Sequence, residues 1–384
     1  MKIVMIAHSA GIQGSGIALV NLTKQLIVRG VEVIVVVPRK YGIYQLLEKI
    51  EGVRLYVIRQ IYNEAFPPTS SFIDKILYVP QLIRRVCGKP LARNKLLKII
   101  NQESPDIIHS NTGTIRIGAE VAKKMGIPHI WHIRECQTLG CGLQPFGGEK
   151  KVKLLLAEKN NYCIAITNCV FQYYDLRENK DCVIYDGVFS RERALRSVRM
   201  PKKNIILYIG LLSEKKGVKI LLDAIDKVSE KLHGYEIWFA GEDQMEFVKY
   251  ISRFSWCNKV KYLGFRKDVY DLMSKARVLV VTTEFEGFGF VTVEAMLCRT
   301  LVIGRNTAGT KEQMDKANMI AGYDVALRFL SAEELAHSLL EALSLSEERY
   351  NNLTEKAYDI VSSLYTTERC AREIYDYYNF VLKR

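Results

Sequence analysis

The sequence predicts two doubly wound α/β domains, and three observations carry that expectation. Short, near-continuous apolar runs recur along the chain with helical patterns between them. A strand, glycine-loop and helix opening occupies residues 2–28 and returns at 204–232. Between the two copies, 189–203 (FSRERALRSVRMPKK) is polar and basic and lacks strand character. Continuous rather than alternating hydrophobicity marks strands buried on both faces, which is the property of parallel sheets covered by helices.

Residues 2–7 read as a buried strand, followed by Gly11-Ile-Gln-Gly14-Ser-Gly16 and an amphipathic run over 17–28 that stops at Gly30. A second apolar strand, 31–37, ends at Pro38. The same grammar continues with strands at 53–58, 106–109, 129–133, 163–166 and 183–185, and a helical pattern at 117–124. After the polar break, strands are expected at 204–209, 236–240, 259–263, 278–281 and 301–303, with a helix over 218–232. The last segment, 366–384, reads as one more helix. These boundaries give an N-terminal Rossmann-like domain over 1–190, a second over 200–365 and a C-terminal helix that returns toward the first. In such sheets ligands gather at the carboxyl ends of the strands, so the two domains are expected to face across a cleft.

Bulk properties agree. A chain of 384 residues is long for one core and ordinary for two. Apolar residues at 48% and charged residues at 25% exclude fibrous and low-complexity classes. No run approaches the ~18–20 apolar residues of a membrane span, and the opening residues lack a signal peptide's apolar stretch, so a cytoplasmic chain is expected. Nine cysteines, an odd number without a C-x-x-C pair, read as reduced thiols. Cys136 and Cys141 are the one close pair considered for metal or redox chemistry, and no metal site is assigned there.

The net charge of +13 is unevenly placed, with +10 in residues 1–190 and +3 in 191–384. Within 74–98, seven basic residues stand against one acid and alternate with aliphatic ones. That pattern suits an anionic membrane surface, or else a solvated helix face. Charge alone suggests nucleic acid as well, but no nucleic-acid-binding module accompanies it and none is expected as a partner.

The first glycine loop is not a dinucleotide fingerprint. Its glycines are spaced G-x-x-G-x-G, and the second strand ends Val37-Pro38-Arg39-Lys40, without the acid that would hold a ribose. There is also no P-loop. Glycines before a helix N-terminus still offer amides to an anion, although tight strand-to-helix turns look the same.

The second domain has the stronger signal. Glu286-Gly287-Phe288-Gly289-Phe290-Val291-Thr292-Val293-Glu294-Ala295-Met296 follows a strand and enters a helix. Glu286 lies in the loop and Glu294 about a turn inside the helix, so the two acids can hold opposite ends of one ligand. Gly287 and Gly289 keep the leading amides open to phosphate.

These residues, together with 207–217 (LYIGLLSEKKG), Phe239-Ala-Gly-Glu242, 260–265 and 183–188, resemble the retaining nucleotide-sugar glycosyltransferases of the GT-B fold, the group 1 or family 4 enzymes. The N-terminal half is similar more loosely, through the glycine loop, 105–111 and 128–135. The resemblance implies an acceptor-binding first domain and a nucleotide-sugar-binding second domain. It implies that Glu286 contacts the transferred sugar, Glu294 holds the ribose, Lys216 neutralises the diphosphate and Gly16, with Gly14, offers amides. It places His132 beside the donor sugar, so His132 and Glu286 are the catalytic candidates. Gly287, Phe288, Gly289, Phe290 and Glu312 complete the donor-binding set, Glu312 through a 308–312 loop.

The resemblance further implies no separate cofactor and no metal, since there is no D-x-D motif beyond the weak imitation Glu284-Phe-Glu286. The expected acceptor is a glycan or polyprenol-linked glycan at the inner face of a membrane, in cell-surface polysaccharide synthesis. The alternatives are a nucleotide-sugar epimerase of the same fold and a non-catalytic glycosyltransferase-like subunit. One departure stands out: Leu211 occupies the position where the family usually has Arg, and Lys215 or Arg305 would have to supply the missing charge. Arg134 and Glu135 are expected either to orient the acceptor or to pair with each other at the surface.

Overall fold

The computed structural model describes residues 1–12, 14–66, 72–140, 142–197 and 199–384; the side chains of 72–75, 77 and 78 lie outside that description, as does Cys141. The chain forms two compact units, Met1–Gly187 with Thr367–Arg384, and Val188–Thr366.

The first unit is built on a seven-stranded sheet. Its strands run in the order Arg54–Val57, Glu32–Val37, Lys2–Ile6, Ile107–Ser110, His129–Ile133, Asn161–Ala165 and Cys182–Val183. All are parallel. The pleat sends Ile3, Met5, Val33, Val35 and Ile107 into one apolar layer and Val4, Ile6, Ile34, Val36 and Ile108 into the other. Both faces are therefore dry, which is why these strands read as unbroken apolar runs. A short antiparallel ribbon, Ala65–Phe66 on Gln144–Pro145, sits among the loops after the strands.

The second unit repeats the plan with six parallel strands, in the order Val260–Tyr262, Glu236–Ala240, Lys203–Ile209, Ala276–Val281, Leu301–Arg305 and Leu327–Phe329. Ile206, Tyr208, Ile237, Phe239, Val278 and Ile303 lie in one buried cluster with Leu221, Leu222 and Ile225 of the Val218–Val228 helix.

The final helix, Thr367–Leu382, belongs to the first unit. Cys370, Ala371, Ile374, Tyr378 and Val381 join the core that holds Ile3 and Met5. Polar bonds fasten it, among them Arg29 Nη2 to the Glu368 carbonyl at 2.9 Å, Arg369 Nη2 to the Tyr185 carbonyl at 2.5 Å, the Tyr377 hydroxyl to the Lys180 carbonyl at 2.8 Å, and the Tyr378 hydroxyl to His109 Nδ1 at 2.6 Å.

Several local readings change. The polar break at 189–203 contains a short helix, Arg191–Leu195, capped by the Ser190 hydroxyl, and it belongs to the second unit. The 218–232 helix ends at Val228 and continues as a 3₁₀ turn. The basic stretch at 74–98 lies within a single helix, Phe72–Glu103, despite Pro80 and Pro90. Its later half is anchored by buried Ala92, Leu96, Ile99 and Ile100, whereas Ile76, Val79, Ile83 and Val86 are each more than half exposed. No helix among the described residues is long and apolar enough to cross a membrane.

Candidate active site

In the second unit the candidate residues collect where the Lys203–Ile209 and Ala276–Val281 strands end. The first strand leads through Gly210 and Leu211 into the 3₁₀ turn Glu214–Lys216. The second leads through Thr282 into the 284–289 loop and the Phe290–Leu297 helix. Thr282 ties the two together, its hydroxyl donating to the Lys216 carbonyl at 2.6 Å. Lys216 Nζ then donates to Glu286 Oε1 at 2.7 Å, with both side chains partly exposed.

The 284–289 loop is pinned from behind. The Gly309 amide donates to the Glu286 carbonyl at 2.9 Å and the Thr307 hydroxyl to the Glu284 carbonyl at 2.6 Å. A Cβ at Gly309 would lie 2.7–2.9 Å from the carbonyls of Glu286, Gly287 and Phe288, so only glycine lets this backbone close on the loop. Gly287 and Gly289 flank Phe288, whose ring is buried and packs edge-on against Phe290 and Tyr365. The ring is therefore a structural anchor, and any ligand contact by Phe288 falls to its backbone. Phe290 opens the helix, half-buried.

Glu294 occupies a different environment from Glu286. It is held by the Tyr270 hydroxyl, which donates to its Oε1 at 2.9 Å, and the Arg193 guanidinium stacks 3.6 Å from the Tyr270 ring centre. Burial pushes the Glu294 carboxyl up to about 7, while Tyr270 and Arg193 pull it the other way. Neither Tyr270 nor Arg193 was picked out from sequence. Arg193 comes from the segment that read only as a polar linker.

The first unit has its own buried polar cluster at the strand ends. His132 is fully buried at the end of the His129–Ile133 strand, and its Nε2 has no hydrogen-bond partner among the described residues. Burial, then the charge of Arg134, then His109 hold it well below the ordinary imidazole range, so it is neutral at pH 7. Burial and Arg134 likewise bring His8 down to about 4. Arg134 and Glu135 do not form a surface pair. Arg134 is buried, and its Nη1 donates to the Asp186 carboxylate, while Nε donates to the Asn111 carbonyl at 3.1 Å and Nη2 to Asn111 Oδ1 at 3.1 Å. Glu135 makes no ion pair with Arg134 among the described residues, and burial raises its carboxyl to about 7 against the pull of the Arg134 charge. Asp186 was legible only as part of the 183–188 motif, with no role attached.

Gly14 and Gly16 lie in the first turn of the Gly14–Val28 helix. Gly16 is buried, and a Cβ there would run into the Gly11 carbonyl, so this glycine is required for the loop to fold back on its own helix. The loop is clamped to the cluster by Asn111, whose amide donates to the Ser15 carbonyl at 2.9 Å. Gly14, Gly16 and His132 thus sit in one unit, and Lys216, Glu286 and Glu294 in the other.

A profile described as glycosyl transferases group 1 matches residues 190–360, and one described as a glycosyl transferase 4-like domain matches 13–161. The chain belongs to the group 1 glycosyltransferases. This glycosyltransferase is 28% identical, over 72% of its length and 77% of the relative's, to the uncharacterized glycosyltransferase MJ1178 of Methanocaldococcus jannaschii. It is 21% identical to the N-acetyl-alpha-D-glucosaminyl L-malate synthase of Bacillus anthracis, over 76% of its own length and 78% of that chain. Among solved structures it overlays a Rickettsia africae glycosyltransferase with a TM-score of 0.78 at 17% identity, covering 100% of this chain and 99% of that one. Anabaena Alr3699/HepE, solved in complex with UDP, gives 0.74 at 19%, covering 98% and 99%. At these identities the structural likeness establishes the fold, two parallel α/β units of GT-B type.

One candidate of the glycosyltransferase lies in a different element from the one expected. Glu312 is not in a loop; it lies inside the Ala308–Ala321 helix, one turn beyond the Gly309 contact. Of the two cations considered for the missing Arg at 211, Lys215 is exposed, whereas Arg305 reaches inward. Arg305 Nη2 stands 3.7 Å from Glu284, and Nη1 lies 3.5 Å from the Thr282 carbonyl. Glu284 and Glu286 therefore each face a cation, Arg305 and Lys216.

Proposed function

We propose that this glycosyltransferase moves a sugar from a nucleoside diphosphate sugar to a glycan or lipid-linked glycan, with retention of anomeric configuration and without a metal. The Lys216–Glu286 pair at the mouth of the second sheet carries the reading. Transfer proceeds through an oxocarbenium-like state in which charge grows on the departing diphosphate, so a cation and oriented amides are needed where that charge appears. Lys216 supplies the cation and Arg305 lies close by; the helix start at Phe290 supplies the dipole. Glu286 accepts hydroxyls of the sugar once Lys216 turns to phosphate, and Glu294 accepts those of the ribose. The bond from the anomeric carbon to the phosphate oxygen breaks, the acceptor oxygen bonds to that carbon on the same face, and its proton passes to the departing phosphate. No carboxylate nucleophile is required, which suits two acids that are engaged by Lys216 and Tyr270.

The Anabaena protein's complexes with UDP and UDP-glucose support a nucleotide sugar as donor. The helix Phe72–Glu103 supports a peripheral contact with an anionic membrane, because Ile76, Val79, Ile83 and Val86 make an exposed apolar stripe at spacings of 3, 4 and 3 beside Arg84 and Arg93. A contact of that kind fits the reading of an enzyme at the inner membrane face in cell-surface polysaccharide synthesis. The test is calorimetry of the full chain with nucleoside diphosphates, followed by product analysis with membrane lipid present. Binding with acceptor-dependent release of nucleoside diphosphate is expected. Sugar conversion without an acceptor would select an epimerase, and binding with no turnover would select a non-catalytic subunit.

A further inference from the structure

Among the buried charges of the first unit that the proposed transfer does not use, Arg116 lacks the ion pair that Arg134 has with Asp186. It caps the Ile117–Met125 helix and is only 6% exposed, yet its guanidinium makes no hydrogen bond or ion pair among the described residues. Burial lowers its pKa, and Glu64 and Glu120 act in the opposite direction. A guanidinium drawn partly out of bulk water with no protein acceptor keeps its five donors available to whatever fills the space it faces.

Arg116 lines a cavity of about 290 Å³. This lies at the lower end of the ~300–1,000 Å³ span usual for small-molecule sites. The walls are fixed independently of any ligand. The Glu64 amide donates to the Thr114 carbonyl at 2.7 Å, and the Phe146 amide to the Glu64 carbonyl at 2.9 Å. The lining residues Glu64 and Phe146 adjoin the Ala65–Phe66 and Gln144–Pro145 ribbon, and Arg85 stacks on Phe66 and donates to the Ala65 carbonyl at 3.0 Å. Lys89 bridges Glu64, at 3.0 Å, and Glu120.

The ionised groups facing the cavity are thus four cations, Arg85, Lys89, Arg116 and Lys151, against two carboxylates, Glu64 and Glu120. Lys89 is already shared between the carboxylates, and the remaining excess of two positive charges is centred on the unpartnered Arg116. Val86, Phe146 and Leu155 add an apolar wall, and Val86 also belongs to the exposed stripe of the Phe72–Glu103 helix.

We propose that this cavity binds a phosphate monoester, with Arg116 as its main ligand and Lys151 at the rim. The excess of two charges matches a phosphate dianion, and the planar fork of Arg116 can take two of its oxygens at once. Resting on the transfer reaction proposed above, the phosphate belongs to the acceptor; the anion site itself stands without that reading. The phosphate can come from a soluble sugar phosphate or from a lipid phosphate reached along the Val86 wall.

The test uses the full chain, with glucose 1-phosphate in calorimetry and dodecyl phosphate carried in phosphatidylcholine vesicles as the lipid arm. Lys216→Ala serves as the background that removes phosphate affinity from the second unit, and UDP binding by the unsubstituted chain is measured alongside. Arg116→Gln should weaken phosphate binding about tenfold or more, and Lys151→Gln, at an exposed position that folding does not need, about threefold, with UDP binding unchanged. Binding confined to the vesicle arm and lost with Arg116→Gln assigns the same site to a lipid phosphate. Phosphate binding that neither substitution alters, no binding in either arm, or tighter binding of glucuronate than of glucose 1-phosphate overturns the proposal. Loss of UDP binding with Arg116-dependent phosphate binding intact would sink the donor reading and leave this site standing.

Discussion

Lys216 Nζ donates to Glu286 Oε1 at 2.7 Å, joining a 3₁₀ turn after one strand to a loop after its neighbour. The two groups that the proposed reaction assigns to diphosphate and sugar neutralise each other before a ligand arrives. A donor therefore has to part them, and their contributions to binding cannot be independent.

Lys216→Ala should weaken nucleoside diphosphate binding by about 10–100-fold, the worth of a charge-assisted bond to phosphate. Glu286→Ala should leave diphosphate binding nearly unchanged, or strengthen it, because it releases Lys216, while weakening the nucleotide sugar. The double variant should deviate from the sum of the single effects, as read by calorimetry in a full cycle.

Glu294 gives a pH signature. With its carboxyl raised to about 7, it becomes the ionised acceptor of ribose hydroxyls only above that pH, so nucleotide affinity should rise from pH 6 to pH 8. Glu294→Gln should flatten the rise. Stability moves the other way: an acid whose folded pKa lies above its unfolded value near 4.5 favours folding at low pH and loses that contribution as pH rises through 7. In urea titrations Glu294→Gln should therefore gain on the parent chain between pH 5 and pH 8.

Arg134 and Asp186 form a buried pair with side chains 5% and 2% exposed. Removing one partner strands the other charge, so Asp186→Ala should cost about 3–5 kcal/mol in urea unfolding. A loss under 1 kcal/mol would show that water reaches Arg134.

The apolar stripe on the Phe72–Glu103 helix is separable from the donor chemistry. Val79→Ser with Ile83→Ser should lower the partition coefficient onto anionic vesicles, read by sedimentation, by about a hundredfold or more, since each side chain inserted into lipid is worth about 1.5–3 kcal/mol. UDP binding should stay as it was.

Much of this architecture is legible in the chain because strands buried on both faces leave an unmistakable trace. His129–Ile133 and Glu236–Ala240 match their apolar runs residue for residue. Leu327–Phe329 was missed because three residues around a central Arg carry no period, and its place is set by pairing with Leu301–Arg305. Phe72–Glu103 was not read as one helix, since Pro80 and Pro90 argue locally against it. Within the site, Lys216, Glu286 and Glu294 could be named because they lie on contiguous motifs. Tyr270, Arg193, Asp186 and Asn111 reach their partners from distant segments, and no local pattern foretells such encounters. Glu312 was misplaced because Gly309 reads as a loop residue, whereas its lack of a side chain lets a helix start against the 284–289 carbonyls.

The most direct measurement is hydrogen–deuterium exchange of the full chain with and without a saturating nucleoside diphosphate. Protection concentrated in 213–217 and 284–294, and abolished by Lys216→Ala, is the predicted result. Tight nucleotide binding that leaves both segments exchanging as in the free chain would contradict the account.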